Sequence, residues 1–200
     1  MTSFNQQISQ RINAISEALK EPTVASQTKN LISSIQQCYQ SNKKVIAFGN
    51  GGNAANAEQL VTELIARYCF DRDAIGAVLI TAAGPFTAIN NDYGYGQGFA
   101  RQVSGLAENG DIVVGFSSSG TSENVIEAIE AAKKKKATTV GFSAMQGKLR
   151  EIVDIPIIVN STFTPVIEEA HLILIHIICG EVEEALFSGS GVRIRTPDYL

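Results

Sequence analysis

The sequence is short of cysteine, of net positive charge and of long apolar runs, and each shortage excludes something. Three cysteines, Cys38, Cys69 and Cys179, are an odd number, far apart and without a CxxC pair, which argues for reduced thiols in a reducing compartment. Sixteen Lys and Arg face twenty Asp and Glu, a formal charge of −4, so the molecule as a whole attracts neither nucleic acid nor an anionic membrane. An anionic ligand has to be caught locally. The longest nearly apolar run, Leu172 to Cys179, is interrupted by His176 and falls far short of the ~20 residues that span a bilayer. It reads as a buried helix. The opening residues carry no basic cluster followed by an apolar stretch, so no secretory signal is expected and the chain is expected in the cytoplasm.

What is present suits one globular core: 200 residues, 44% hydrophobic and 18% charged. Ile8, Ile12, Ile15 and Leu19 share one helical stripe that Pro22 ends, and Leu31, Ile32, Ile35 and Tyr39 form a second. A helical hairpin over residues 1–42 therefore opens the chain, its apolar stripe covering either the domain that follows or a second copy of itself. From Lys44 onward, β-branched runs at 45–48, 77–80, 112–116, 138–142 and 155–159 alternate with helical patterns near 53–67, 97–107, 121–135 and 165–187. Continuous apolar runs predict strands covered on both faces, hence a parallel sheet in a doubly wound α/β fold. Pro156, lacking an amide donor, belongs at a strand start or on an edge strand. The expected domain runs from 1 to 187, and Ser188–Gly191 leads as a flexible joint into a short extended tail ending at residue 200.

Two loops fall where such a sheet binds ligands, at the carboxyl ends of strands feeding helix N-termini. The first is Gly49-Asn50-Gly51-Gly52-Asn53, in which Asn53 can cap the next helix. The second is Ser117-Ser118-Ser119-Gly120-Thr121-Ser122, which offers a phosphate many neutral donors and no fixed cation. Taken singly, each also reads as a plain turn and cap. Neither is a G-x-G-x-x-G fingerprint or a Walker loop.

Together with Glu63-Leu64-Ile65-Ala66-Arg67-Tyr68, Asn91-Asp92-Tyr93-Gly94-Tyr95, Arg101-Gln102-Val103 and Gly110-Asp111, these loops resemble the sugar isomerase (SIS) domain family, and within it the bacterial phosphoheptose isomerases. The resemblance covers roughly residues 4 to 187. It implies a flavodoxin-like five-stranded sheet and a homotetramer with sites at subunit interfaces. It further implies conversion of sedoheptulose 7-phosphate to D-glycero-D-manno-heptose 7-phosphate for lipopolysaccharide heptose. That reaction needs a base to move a proton between adjacent carbons and a second group to serve the oxygens. By resemblance these are Glu63 and His176. Read without it, Glu63 is a surface helix carboxylate and His176 a hydrogen-bonded core histidine within an apolar run. Asn50, Gly51, Gly52 and Asn53 match the first substrate loop, Asn91 and Asp92 a sugar-contacting pair, and Ser117, Ser118, Ser119 and Ser122 the phosphate-binding serines. Arg67 matches an arginine near the substrate or is a solvated helix-end cation. His171 reads as structural and Lys133–Lys136 as a solvated helix end.

The sequence departs from the family at the zinc ligands. Of the implied set Gln59, Glu63, Glu168 and His176, the family has His at the first position and Gln at the third. Glu168, also a candidate substrate contact, lies in the altered segment 165–169. The set here is more oxygen-rich, and two helical turns, about 12 Å, part Glu168 from His176, so zinc is left open. The alternative function is a non-catalytic protein of the same fold that binds the replication initiator protein.

Overall fold

This computed structural model describes residues 2–195. Helix α1 spans Phe4–Ala18 and α2 Val24–Gln40. Ser3 opens α1 with a capping box, its hydroxyl accepting the Gln6 amide while the Gln6 side chain accepts the amide of Ser3. The two helices bury their stripes unequally. Leu31 and Ile35 of α2 are fully buried, and Ile15 and Leu19 lie against the same core, but Phe4, Ile8 and Ile12 are 75, 43 and 59% exposed. The end of the hairpin covers the domain, whereas Phe4, Ile8 and Ile12 at the front of α1 are left largely uncovered by the described residues.

After the hairpin come β1 (Val45–Gly49), α3 (Gly52–Ile65), β2 (Phe70–Asp71), β3 (Ala77–Leu79), α4 (Ala83–Tyr93), α5 (Gln97–Leu106) and β4 (Ile112–Phe116). Then follow α6 (Glu123–Lys134), β5 (Thr138–Ala144), α7 (Leu149–Ile152), β6 (Ile155–Val159), α8 (Thr164–Phe187) and β7 (Val192–Arg193). Five strands pair in parallel in the order β3-β1-β4-β5-β6, so the expected flavodoxin-like sheet is present. One apolar core joins the sheet to α2, α3 and α8, and a second joins its other face to α5, α6 and α7. Burial on both faces is why β1 and β4 are apolar throughout rather than alternating. Pro156 lies on β6, an edge strand.

The sheet order also locates the site. β1 and β4 are neighbours, with Gly49 opposite Phe116, yet the chain leaves them toward opposite sides of the sheet. The loops after these two strands flank the crevice at that switch point, where doubly wound sheets bind ligands.

Four expectations need correction. Helix α3 begins at Gly52, so Asn53 is inside it and does not cap it; Gly51, at φ +55°, holds the cap position without a side-chain bond. The 172–179 run is not uniformly buried: Leu174, Ile175, Ile178 and Cys179 face the core, while Leu172, Ile173 and Ile177 are exposed. Helix α4 was absent from the strand–helix rhythm because it buries none of its residues and so carries no apolar stripe. The joint at 188–191 is a hydrogen-bonded turn, with the Gly191 amide donating to the Phe187 carbonyl at 2.7 Å, and β7 returns to pair with β2 of this same chain. The end of the tail, 196–200, lies outside the described residues. Among those described, no helix is long and apolar enough to cross a membrane.

All three cysteines are free and buried, Cys179 within the core as expected. Burial pushes the Cys38 thiol up to about 11. His171 is fully buried against Phe142 and Phe116, with edge-on ring contacts at 5.4 and 6.1 Å and no well-formed hydrogen bond on either ring nitrogen. Burial depresses its pKa to about 3, outweighing a weak opposing contribution from the Ser143 backbone. It is a neutral core residue.

Candidate active site

The candidate residues form two clusters. At the switch point the two loops are tied by side-chain amides: Asn50 and Asn124 exchange reciprocal hydrogen bonds of 2.9 Å each, and the Tyr95 hydroxyl donates to Asn50 Oδ1 at 3.1 Å. Asn53 Nδ2 donates to Ser118 Oγ at 2.7 Å and to Glu168 Oε1 at 3.2 Å. Its Oδ1 is buried without a partner, leaving an acceptor ready for a hydroxyl. Within the second loop, Ser117 and Ser122 share a 2.9 Å hydroxyl contact and Ser119 bonds Thr121 at 2.9 Å. The Ser118 and Ser119 side of this loop faces a cleft of about 750 Å³, whose far wall includes Met145, Gln146, Asn160 and Thr164. These hydroxyls and amides, with the free backbone donors at the start of α6, suit a phosphate without a fixed cation.

Gly52 has a specific job. A Cβ there would collide with the Glu168 carboxylate, which lies over the first turn of α3. Partial burial, reinforced by neighbouring Glu169, raises the Glu168 pKa. Glu169 itself pairs with Arg11 of α1 at 2.8 Å.

The second cluster lies further along α3. Gln59 Nε2 donates to Glu63 Oε1 at 2.5 Å and stands 3.3 Å from His176 Nε2, so one amide touches both expected proton carriers. The i, i+4 spacing places Gln59 and Glu63 on one face of α3, and α8 brings His176 across to it. His176 is half-buried, and Tyr68 stacks on its ring at 5.7 Å and an interplanar angle of 9°. The apolar residues beside His176 in sequence do not enclose it, because Ile173 and Ile177 turn outward.

The implied zinc set does not converge. Glu168 belongs to the first cluster, and seven residues of α3, about 10 Å, separate Gly52 beneath it from Gln59. Gln59 directs its amide nitrogen, a donor, at Glu63 and His176, and among the described residues no three His, Cys, Asp or Glu side chains group as a metal site. The donors as placed do not fit zinc.

Other expected residues stand apart. Asn91 and Asp92 are exposed at the end of α4, bonded to each other at 3.0 Å. Arg67 is exposed and pairs with Asp71 at 3.2 Å. Among the described residues, no hydrogen bond or ion pair links them to either cluster. Sequence reasoning missed Asn124 and Tyr95 as ties of the first loop, and Asn56, which donates to the Glu168 carbonyl at 3.1 Å. Tyr95 lies inside a quoted motif and Asn124 two residues past the serine loop; Asn56 offered the polar signal of an Asn on the buried face of α3.

A model described as SIS domain matches residues 3–144. The phosphoheptose isomerase of Sulfurimonas denitrificans is 40% identical over 192 residues, spanning 90% of this chain and 98% of that one. That of Burkholderia pseudomallei is 39% identical, spanning 92% and 98%. Among solved structures, a phosphoheptose isomerase from Neisseria gonorrhoeae superposes with a TM-score of 0.82 at 32% identity, covering 90% of this chain and 96% of its own. Another from Francisella tularensis gives 0.85 at 26% identity, covering 92% and 100%.

Proposed function

The chain belongs to the SIS domain family and, within it, to the phosphoheptose isomerases, and we propose how its residues carry out that isomerisation. It is an aldose–ketose isomerase acting on sedoheptulose 7-phosphate. The serine loop and the start of α6 hold the phosphate. Glu63 takes a proton from C1 of the ketose while His176 supplies one to the C2 carbonyl oxygen, giving the 1,2-enediol. Glu63 returns its proton to C2 and His176 recovers one from the C1 hydroxyl, leaving the aldehyde at C1 with no net gain or loss of protons. The Gln59 amide, in contact with both groups, is the observation that carries this assignment. It also favours the enzyme over the initiator-binding alternative, since the two proton carriers stand together.

A second copy completes the site in this reading. The cleft at the serine loop is not lined by Glu63 or His176, and these two sit among exposed Ile65, Ile173 and Ile177. With Phe4, Ile8 and Ile12 of α1, this apolar surface is suited to burial against another subunit, as in a homotetramer with interfacial sites. Interfacial closure would also bring Asn91, Asp92 and Arg67 to a substrate. The free thiols suit a cytoplasmic setting.

The test is isomerisation of sedoheptulose 7-phosphate in heavy water. Deuterium is expected at the carbon next to the carbonyl, equally with added zinc and with a chelator, and exchange falls about 1,000-fold in Glu63→Gln. Exchange that persists in Glu63→Gln removes Glu63 from its role.

A further inference from the structure

Beyond the two clusters, one fully buried ion pair has no part in the proton steps. Arg72 and Glu183 each expose 1% of their side chains and meet at 2.8 Å. A buried pair is weak evidence for stability, because desolvating two charges offsets most of their attraction. What distinguishes this one is where its hydrogen bonds go.

Helix α3 ends two residues after Glu63, leaving its last carbonyls without helical partners. Arg72 takes them: Nη2 donates to the Glu63 carbonyl and Nη1 to the Leu64 carbonyl, each at 2.8 Å. Its Nε donates to Glu183 Oε1 at 2.8 Å. That carboxylate also accepts three consecutive backbone amides, from Tyr68 at 2.8 Å, Cys69 at 2.6 Å and Phe70 at 3.0 Å. His176, Gly180 and Glu183 lie at i, i+4 and i+7 on one face of α8. Gly180 leaves room for the Tyr68 ring, which a Cβ there would meet at 3.2 Å, and the same ring backs His176. The ion pair thus grips the backbone of Glu63 with one member and that of Tyr68 with the other.

We infer that Arg72 and Glu183 are positioning residues for the isomerase: their buried pair holds the last turn of α3, with Glu63, and the Tyr68 ring, with His176, in one fixed relation. This rests on the reading of Glu63 and His176 as the proton carriers. A lysine at 72 keeps the charge but loses the planar fork that reaches two carbonyls and a carboxylate together.

The experiment measures kcat, KM and the His176 ring resonance in Arg72→Lys and in the isosteric Glu183→Gln, using the full chain in its native assembly. The chain has two histidines, so His176→Asn assigns the signal. Expected is a fall in kcat on the order of 10- to 100-fold with KM within about twofold, since small misplacements of reacting groups act on kcat. The His176 resonance should move toward its position in Tyr68→Leu, where the stacked ring is gone. Wild-type kcat in both folded variants, an unmoved resonance, a KM that rises in step, or failure of both variants to fold each overturns the positioning role. If Glu63→Gln is inactive while Arg72→Lys is not, the clamp alone is wrong. Full exchange in Glu63→Gln sinks the proton-carrier reading instead.

Discussion

The loop cluster and the helix cluster are built on different principles. Asn50, Asn53, Ser117, Ser118, Ser122 and Asn124 are neutral, bonded to one another, and positioned by the exits of two adjacent strands. Gln59, Glu63 and His176 are presented by two packed helices, and beside them Ile65, Ile173 and Ile177 are 45, 39 and 41% exposed. In the proposed reading the difference separates phosphate capture, organised within one chain, from the proton-moving pair, which is partly buried beside exposed apolar surface. Binding and chemistry should therefore respond separately to substitution.

His176→Asn should strike the chemistry hardest after Glu63→Gln, lowering kcat about 100-fold with little change in KM, as steady-state kinetics would reveal. Equal rises in KM would merge the two clusters into one. Changing Phe4, Ile8 and Ile12 together to serine should next separate the copies: light scattering would give the 21.4 kDa of one chain, and activity would fall with the loss of assembly. Full activity in a monomer would break the distinction between the regions. Ser122→Ala should raise KM about tenfold and spare kcat, the loss of one hydrogen bond to a charged group being worth about 1.5 kcal/mol.

The smallest effect lies outside both clusters and serves as their control. His171 is held near 3 in the folded chain against an ordinary 6.5, so the unfolded chain takes up the proton first as pH falls. Its contribution is present above about pH 6.5 and is lost as the pH falls from there toward 3, by about 1.4 kcal/mol per pH unit. Urea unfolding at pH 7.5 and 5.5 should show this slope in wild type and lose that share of it in His171→Leu. No difference between the two proteins would contradict a neutral core imidazole.

Much of the fold was legible because its signals are local. The runs at 112–116 and 155–159 became β4 and β6 with the same bounds, since residues buried on both faces must be apolar wherever they pair. Helix α4 was not legible, having no buried face to write a stripe. The loop residues could be found because Gly, Asn and Ser after a strand carry a backbone reason for being there. Arg72 and Glu183 could not, because charged residues 111 positions apart look like surface until packing buries them together.

The amino-acid order by itself determined the strand–helix alternation, the two donor-rich loops and the pairing of Gln59 with Glu63 one turn apart, all consequences of steric and periodic rules acting within about a dozen residues. Only the tertiary structure decided that His176 meets Gln59, that Glu168 joins the loops rather than a zinc set, and that the front of α1 is left uncovered. Those outcomes depend on how α3 and α8 lie against each other and on what shape remains to be filled, and such contacts between distant segments leave no periodic trace along the chain.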